Sequence, residues 1–333
     1  MAGRKSLRRL QLGREVTPGT EVNATVVWNG TGTILDNRKI ERINQDIGII
    51  GGTTLTNQPM KGGSLNMLQS PATFEQLLHI LEASIKTATP SQDGAGTDYI
   101  YTYACPTTSG NTIKTYTLEG GDDTGEEQML YCFIKDWTLD GTGRNGWNLS
   151  ANWQGRSVEP GTFTSAPALT ARNNMNFGMS RLYIDAIGGT IGTTVKANTL
   201  RMANIKYTSG IEAKDTADAR LDFSFAQGTD YIVKGKLEFE HDSVALAEKV
   251  KWRAETSFLA QIKIEGSTAF QTPGTTYSVP TFIMNLPCKY ENFEKIGEAN
   301  GNDIVSGSFF SAYDITAAVA PSFINVVESA TVP

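Results

Sequence analysis

The sequence predicts a mainly β protein, arranged as two tandem β-sandwich or barrel domains, each flanked by one α-helix. Three observations carry this expectation. Thr occurs 39 times and Gly 33 times in 333 residues; Thr suits a pleated surface and Gly suits tight turns. Apolar and polar residues alternate with a period of two through much of the chain. A set of ordered features also occurs twice. Hydrophobic residues at 39% and charged residues at 19% supply ample material for a core, so disorder is not the expected state. The length fits roughly two domains of about 150 residues each.

The chain begins Met-Ala-Gly-Arg-Lys-Ser-Leu-Arg-Arg-Leu and runs straight into polar sequence. Without an apolar h-region it does not read as a signal peptide, so Asn23, Asn29 and Asn148 carry no weight as glycan acceptors. Arg4, Lys5, Arg8 and Arg9 instead form a basic arm interleaved with Leu7, Leu10 and Leu12. Residues 71–86 place Phe74, Leu77, Leu78, Leu81 and Ile85 at helical spacing, with Ser70 as N-cap and Pro71 at the first helical position. His79, between Leu78 and Ile80, reads as a helix-flank residue rather than a ligand. Residues 87–97 follow as a polar insertion.

Glu119, Asp122, Asp123, Glu126 and Glu127 crowd one Gly-rich loop. The alternate acidic positions of an EF-hand are missing, so this is a solvated acidic loop, suited to a basic partner such as the arm of a neighbouring copy. Residues 129–139 then form a long β-prone run. The Gly141–Gly146 cluster spells GxGxxG, but a strand follows it where a nucleotide site needs a helix. A hairpin turn is therefore expected. On its far side Trp147, Leu149, Ala151 and Trp153 share one face, and Asn148, Ser150, Asn152 and Gln154 share the other.

Residues 161–176 are rich in Pro, Thr and Asn and mark the boundary between domains 1–165 and 166–333. Residues 243–254 give a second, weaker helix. The segment from Gly63 to Met67, ahead of the first helix, matches Gly235 to Phe239, ahead of the second, 172 positions later. Cys132, Trp137, Gly141, Leu149, Ala151 and Trp153 match Cys288, Phe293, Gly297, Val305, Gly307 and Phe309, 156 positions later. The difference of 16 residues falls between helix and hairpin, where only the first half carries an insertion. Duplication of one domain is the expected origin.

Little in the sequence points to chemistry. Cys105, Cys132 and Cys288 are odd in number and form no CxxC pair, which argues against a disulfide scaffold or a cysteine zinc site. His79 and His241 are the two histidines, and His241 would point away from Glu240 and Asp242 in a strand. No motif selects a carboxylate pair for glycoside hydrolysis, and no nucleophile elbow, P-loop or zincin helix is present. The expectation is a non-enzyme with no cofactor and no metal. The formal charge of −6 argues against tight duplex DNA binding, and no run approaches the ~18–20 apolar residues of a membrane span.

The ordered motifs resemble the tail tube (major tail) proteins of long-tailed, siphovirus-like bacteriophages. Carrying the resemblance are the stretch from Leu10 to Thr20, Trp28-Asn29-Gly30, the Ile47–Gly52 run, the Lys61–Leu65 run leading into a helix, and the 129–156 hairpin with its closing Gly155-Arg156. It is best over residues 10–160. It implies a helix-flanked β-sandwich in stacked rings, with two-copy forms making trimeric, pseudo-sixfold rings in which each half gives four strands to an inner barrel. The implied partners are other copies of itself, a tape-measure protein, and tail terminator and tip proteins. Duplex DNA would pass through the lumen without specific binding. The implied location is the virion tail, assembled in the host cytoplasm, with no membrane insertion.

On this reading Arg4, Lys5, Arg8 and Arg9 meet Glu119, Asp122, Asp123, Glu126 and Glu127 between copies. Residues 1–12, 87–97 and 214–219 are expected to order on stacking, and deletion of residues 1–12 is expected to impair tube growth more than subunit folding. The rivals are the tube of a contractile tail or phage-like particle, a secreted carbohydrate-binding or adhesin-type β-protein, and a β-sandwich glycoside hydrolase.

Overall fold

The computed structural model describes residues 3–50, 53–169, 171–294 and 296–332; Gly51 and Gly52 of the Ile47–Gly52 motif lie outside them. In the first half the order is β1 (Arg9–Arg14), β2 (Val26–Val27), β3 (Thr31–Asp36), β4 (Lys39–Gln45), β5 (Thr53–Met60) and β6 (Gly63–Pro71). Helix α1 (Phe74–Ser84) is followed by β7 (Ser91–Gln92), β8 (Tyr99–Ala104), β9 (Tyr116–Gly121), β10 (Glu126–Thr142), β11 (Asn148–Gly155) and β12 (Ser157–Pro160). The second half continues with β13 (Ser180–Ala186), β14 (Leu200–Thr208), β15 (Ile211–Lys214), β16 (Phe225–Gly228) and β17 (Ile232–Glu240). It ends with α2 (Ser243–Arg253), β18 (Phe258–Glu265), β19 (Thr281–Phe293), β20 (Gly297–Ala299), β21 (Asn302–Ser311) and β22 (Ser322–Val327). The protein is mainly β, with 49% strand and 9% helix.

Eight strands make one antiparallel sheet in the order β3-β6-β11-β10-β14-β17-β21-β19. The N-terminal parts of β10 and β19 leave it for a second layer. There β10 pairs with β9 and β12, and β19 pairs with β18 and β22. β1 and β13 extend that layer from β9 and β18. Following the pairings never leads back to the starting strand, so no barrel closes among the described residues. β4–β5 and β15–β16 stand apart as two-stranded hairpins.

The alternation read from the sequence is the burial pattern. Trp147, Leu149, Ala151 and Trp153 are buried, while Asn148, Ser150, Asn152 and Gln154 face the polar side. The 141–146 cluster is the turn between β10 and β11, whose register sets Trp137 opposite Ala151. One continuous apolar core runs through both halves, from Leu10 and Trp28 to Phe309 and Phe323.

The start of α1 differs from expectation. Ser70 and Pro71 end β6, paired with Leu149 and Asn148, and the Ser70 hydroxyl accepts from Trp28 Nε1 at 3.0 Å. Thr73 is the N-cap, its Oγ1 accepting from the Gln76 amide. Cross-strand pairing holds the Ser70-Pro71 dipeptide extended, so the helix begins later. α2 begins as read, with Asp242 capping Ala245. The insertion is also more structured than expected. It holds β7, which pairs with β8 just beyond it, and β8 pairs with β22 of the second half.

Candidate assembly interface

The two halves meet along β10 and β14, with Asp136 opposite Thr208 and Thr142 opposite Met202. Past the end of that ladder the Ser209 amide donates to Lys135 O at 2.8 Å. The β15–β16 hairpin then folds over the outer side of β10. Phe223 packs edge-on against Tyr131 and Phe133 at 5.1 and 6.0 Å. Arg156 stacks on Tyr131 at 4.2 Å and donates to Phe223 O at 2.9 Å, while Lys135 pairs with Glu212. Strand pairing plus a hairpin clamp therefore make this joint, and the β8–β22 ladder is a second contact between the halves.

Each end of the eight-stranded sheet is open. β3 pairs with β6 on one side only. Among the described residues, the Lys289–Phe293 part of β19 and β20 each pair with β21 on one side only; across the other side of β19 the Trp252 indole reaches Glu291 O at a long 3.4 Å. Exposed apolar side chains gather at these ends. Leu35, Ile40, Ile43, Leu55 and Met60 are 44–57% exposed on β3 to β5. Ile296, Phe310, Tyr313 and Ile315 are 36–86% exposed at the opposite end. Unpaired edges and clustered apolar surface are the marks of a strand-pairing interface.

The polar face of the sheet carries both charge signs in close pairs. Lys206 lies 3.6 Å from Asp136, Lys234 lies 2.9 Å from Glu291, and Lys236 lies 2.6 Å from Glu294. Arg201 bridges Glu240 and Glu238. Lysines held in this way offer little to a phosphate backbone.

The basic arm and acidic loop of the sequence analysis meet within one chain. β1 lies antiparallel to β9 with Arg9 opposite Gly121, and the Arg4 amide donates to Asp123 Oδ1 at 2.9 Å. Arg9 lies over the Phe163 ring at 3.9 Å. Glu119 is buried and accepts from Thr164 N and Oγ1, and Glu126 accepts from Phe163 N. Asp122 accepts from Thr124 N and Gly125 N, closing its own turn. Lys5, Arg8 and Glu127 lie on the same border, with Arg8 and Glu127 lining a groove beside β3. Leu10 and Leu12 on β1 are fully buried, so deletion of residues 1–12 would also cost the subunit folding stability, more than an arm that orders only on stacking would.

Two buried polar centres escaped the sequence reading. Glu15 accepts from Gly19 N, Thr115 Oγ1 and Tyr131 N. It thereby holds Tyr131 at φ 52°, a left-handed conformation that bulky residues rarely adopt, where β10 changes layer. Arg14 forks onto Glu82 at 2.9 and 3.0 Å, and Tyr116 donates its hydroxyl to the same carboxylate. Burial pushes the Glu82 carboxyl up, and Arg14 pulls it back. His79, hydrogen-bonded to Tyr116, is pushed down to about 3 by burial and by Arg14. A buried neutral imidazole of this kind is a packing element.

Other candidate groups are committed to structure. Asp242 caps α2, Glu240 pairs with Arg201, and the His241 amide bonds Asp303 O. Cys105, Cys132 and Cys288 are free and buried, and burial pushes every one of these thiols up, away from nucleophilic reactivity. Among the described residues no group of three or more His, Cys, Asp or Glu side chains is placed to hold a metal ion. No helix among them is long and apolar enough to cross a membrane. Neither a scan against known protein families nor a search of curated proteins returns a match to this chain.

Proposed function

We propose that this chain is a structural subunit that assembles head to tail into rings, and that the rings stack into a tail tube of the long-tailed bacteriophage kind. One observation carries the reading: the joint between the two halves is a strand-and-hairpin contact, and the chain ends in an open copy of each of its partners. A head-to-tail contact whose rotation closes gives a ring. The rings would stack into a tube around a tape-measure protein, with terminator and tip proteins at its ends, and the lumen would pass duplex DNA into the host.

Support for two tandem tail-tube-like domains comes from the pairings. β6-β11-β10 and β17-β21-β19 run in the same order. The ladder bulges between Ile134 and Asp136 in one and between Tyr290 and Asn292 in the other, 156 positions apart as the sequence match requires. Three chains would then set about 24 strands around the axis, where 16–18 already leave an aqueous channel. At ~4.8 Å per strand the wall would be at least ~115 Å around, or ~37 Å across before tilt. The paired charges of the polar face suit a lumen along which DNA slides.

Size-exclusion chromatography with light scattering and negative-stain microscopy tests this reading. Trimeric rings or hollow tubes are expected at high protein concentration. A chain that stays monomeric there, with no bored particle, overturns it.

A further inference from the structure

We propose that β3 and the β4–β5 hairpin form a plug that seats on the Lys289–Glu294 edge and the outer face of β21 of a second copy of this chain, in the register of the internal β10–β14 joint. The proposal rests on the ring reading and adds to it the docking segment and the residue pairing.

The internal joint is the template. The ladders β3–β6 and β14–β17 align when Gly63 is matched with Gly235, which sets Asn37 and Lys39 at the places of Lys206 and Thr208. The common bulge sets Asn292 and Glu294 at the places of Asp136 and Thr138. Asp136 faces Thr208 and Thr138 faces Lys206. Across the joint between copies, Asn292 therefore faces Lys39 and Glu294 faces Asn37. Ser209 and Lys135 bond through their backbones, so the Thr138–Lys206 position, three residues on, is a non-hydrogen-bonded pair, the closer kind. The Asn37–Glu294 pair inherits that closeness.

The same template explains why one hairpin is covered and the other bare. β15–β16 rests on Tyr131 and Phe133 of the first half. The matching positions for β4–β5 are Pro287, already buried beside Leu259, and half-buried Lys289, at the other end of the sheet and out of reach of its own plug. The cross-strand pair Ile43–Leu55 is consequently 47% and 52% exposed. Beside the seat, Phe310 and Tyr313 are 36% and 48% exposed. Arg38, Lys39 and Arg42 on the plug would approach Glu291, Glu294 and Glu298 on the seat in competition with the within-chain pairs Arg38–Asp36, Lys39–Glu41, Lys234–Glu291 and Lys236–Glu294.

The test is oxidative cross-linking of the full chain carrying Asn37→Cys with Glu294→Cys, against Leu35→Cys with Glu294→Cys, two residues out of register. The first pair is expected to give covalent dimers and trimers on a non-reducing gel, at least tenfold more than the second. Rings with cross-links through the second pair only, or through neither, overturn the register and leave the ring reading standing. A parent that forms no rings overturns both. In parallel, Ile43→Asp with Leu55→Asp, placed on a hairpin outside the core, is expected to keep the monomer's unfolding midpoint and raise the assembly concentration tenfold or more. Assembly at the parental concentration overturns the docking role of the hairpin.

Discussion

α1 and α2 follow matching strands, β6 and β17, yet they live in different surroundings. Every residue of α1 is buried, while α2 buries Ala245 and Glu248. The difference lies in β8, the strand that follows the insertion: its Tyr101 and Tyr103 are fully buried, and it pairs with β22, where Asn325 Nδ2 donates to Phe74 O at 2.6 Å. A helix enclosed on all sides must neutralise whatever polar groups it carries. Glu75 accepts from Asn173 N and Nδ2, and Glu82 takes Arg14 and Tyr116. One extra strand thus accompanies the difference between a surface helix and an interior one, whose carboxylates take long-range partners.

The comparison is sharpest at the two fully buried glutamate side chains, Glu82 and Glu248. Glu82 is held by a two-bond fork from Arg14, 68 positions away, whereas Glu248 has Lys251 one turn on and the Tyr290 hydroxyl. Arg14→Met leaves a buried carboxylate with one donor and is expected to cost about 3 kcal/mol of folding stability. Lys251→Met removes one charged hydrogen bond at the helix surface and is expected to cost about 1–2 kcal/mol. Urea unfolding of both variants measures the difference. Equal losses would mean that the enclosure of α1 adds nothing.

Acid should find α1 before α2, because His79 is on α1. Its folded value is about 3 against 6.5 for the free side chain. Between those values the unfolded chain binds the proton and the folded chain does not, so stability falls as pH drops through that window. From pH 7 to pH 5 the loss from this group is about 2 kcal/mol. Glu82 acts in the opposite sense, since its raised value favours the protonated folded form and that contribution fades as pH rises. The difference between the parent and His79→Gln isolates the imidazole. The variant should lose less stability over the same interval, and parallel curves would dismiss the assignment.

What the sequence shows and what it hides follow the range of the interactions. The β10–β11 hairpin, the polar and apolar faces of β11, and the extent of α2 are set by residues a few positions apart, and all were legible, though the Asp242 cap was not singled out. Ser70 and Pro71 look like a helix start until β11 pairs with them. Arg4 and Asp123 looked like partners on separate chains until the β1–β9 pairing set them together. Glu15 and Arg14 gave no signal, because their partners lie about 70 to 115 positions away. For the open edges a trace did exist: Ile40, Ile43 and Leu55 lie in a β-prone stretch for which the core has no room.

The smallest expected effect belongs to the bare face of α2. Leu246 and Val250 stand one turn apart and are 50% and 60% exposed. Their replacement together by Gln removes little buried area, and Gln forms helix better than Val. Stability should change by no more than about 0.5 kcal/mol. Leu77→Ala in α1, fully enclosed, should cost about 2–5 kcal/mol. Chemical denaturation at two protein concentrations makes the contrast decisive. A loss above about 2 kcal/mol for the α2 pair that grows with concentration would mean another chain covers this face in solution, and the helices would then differ in who buries them rather than in whether they are buried.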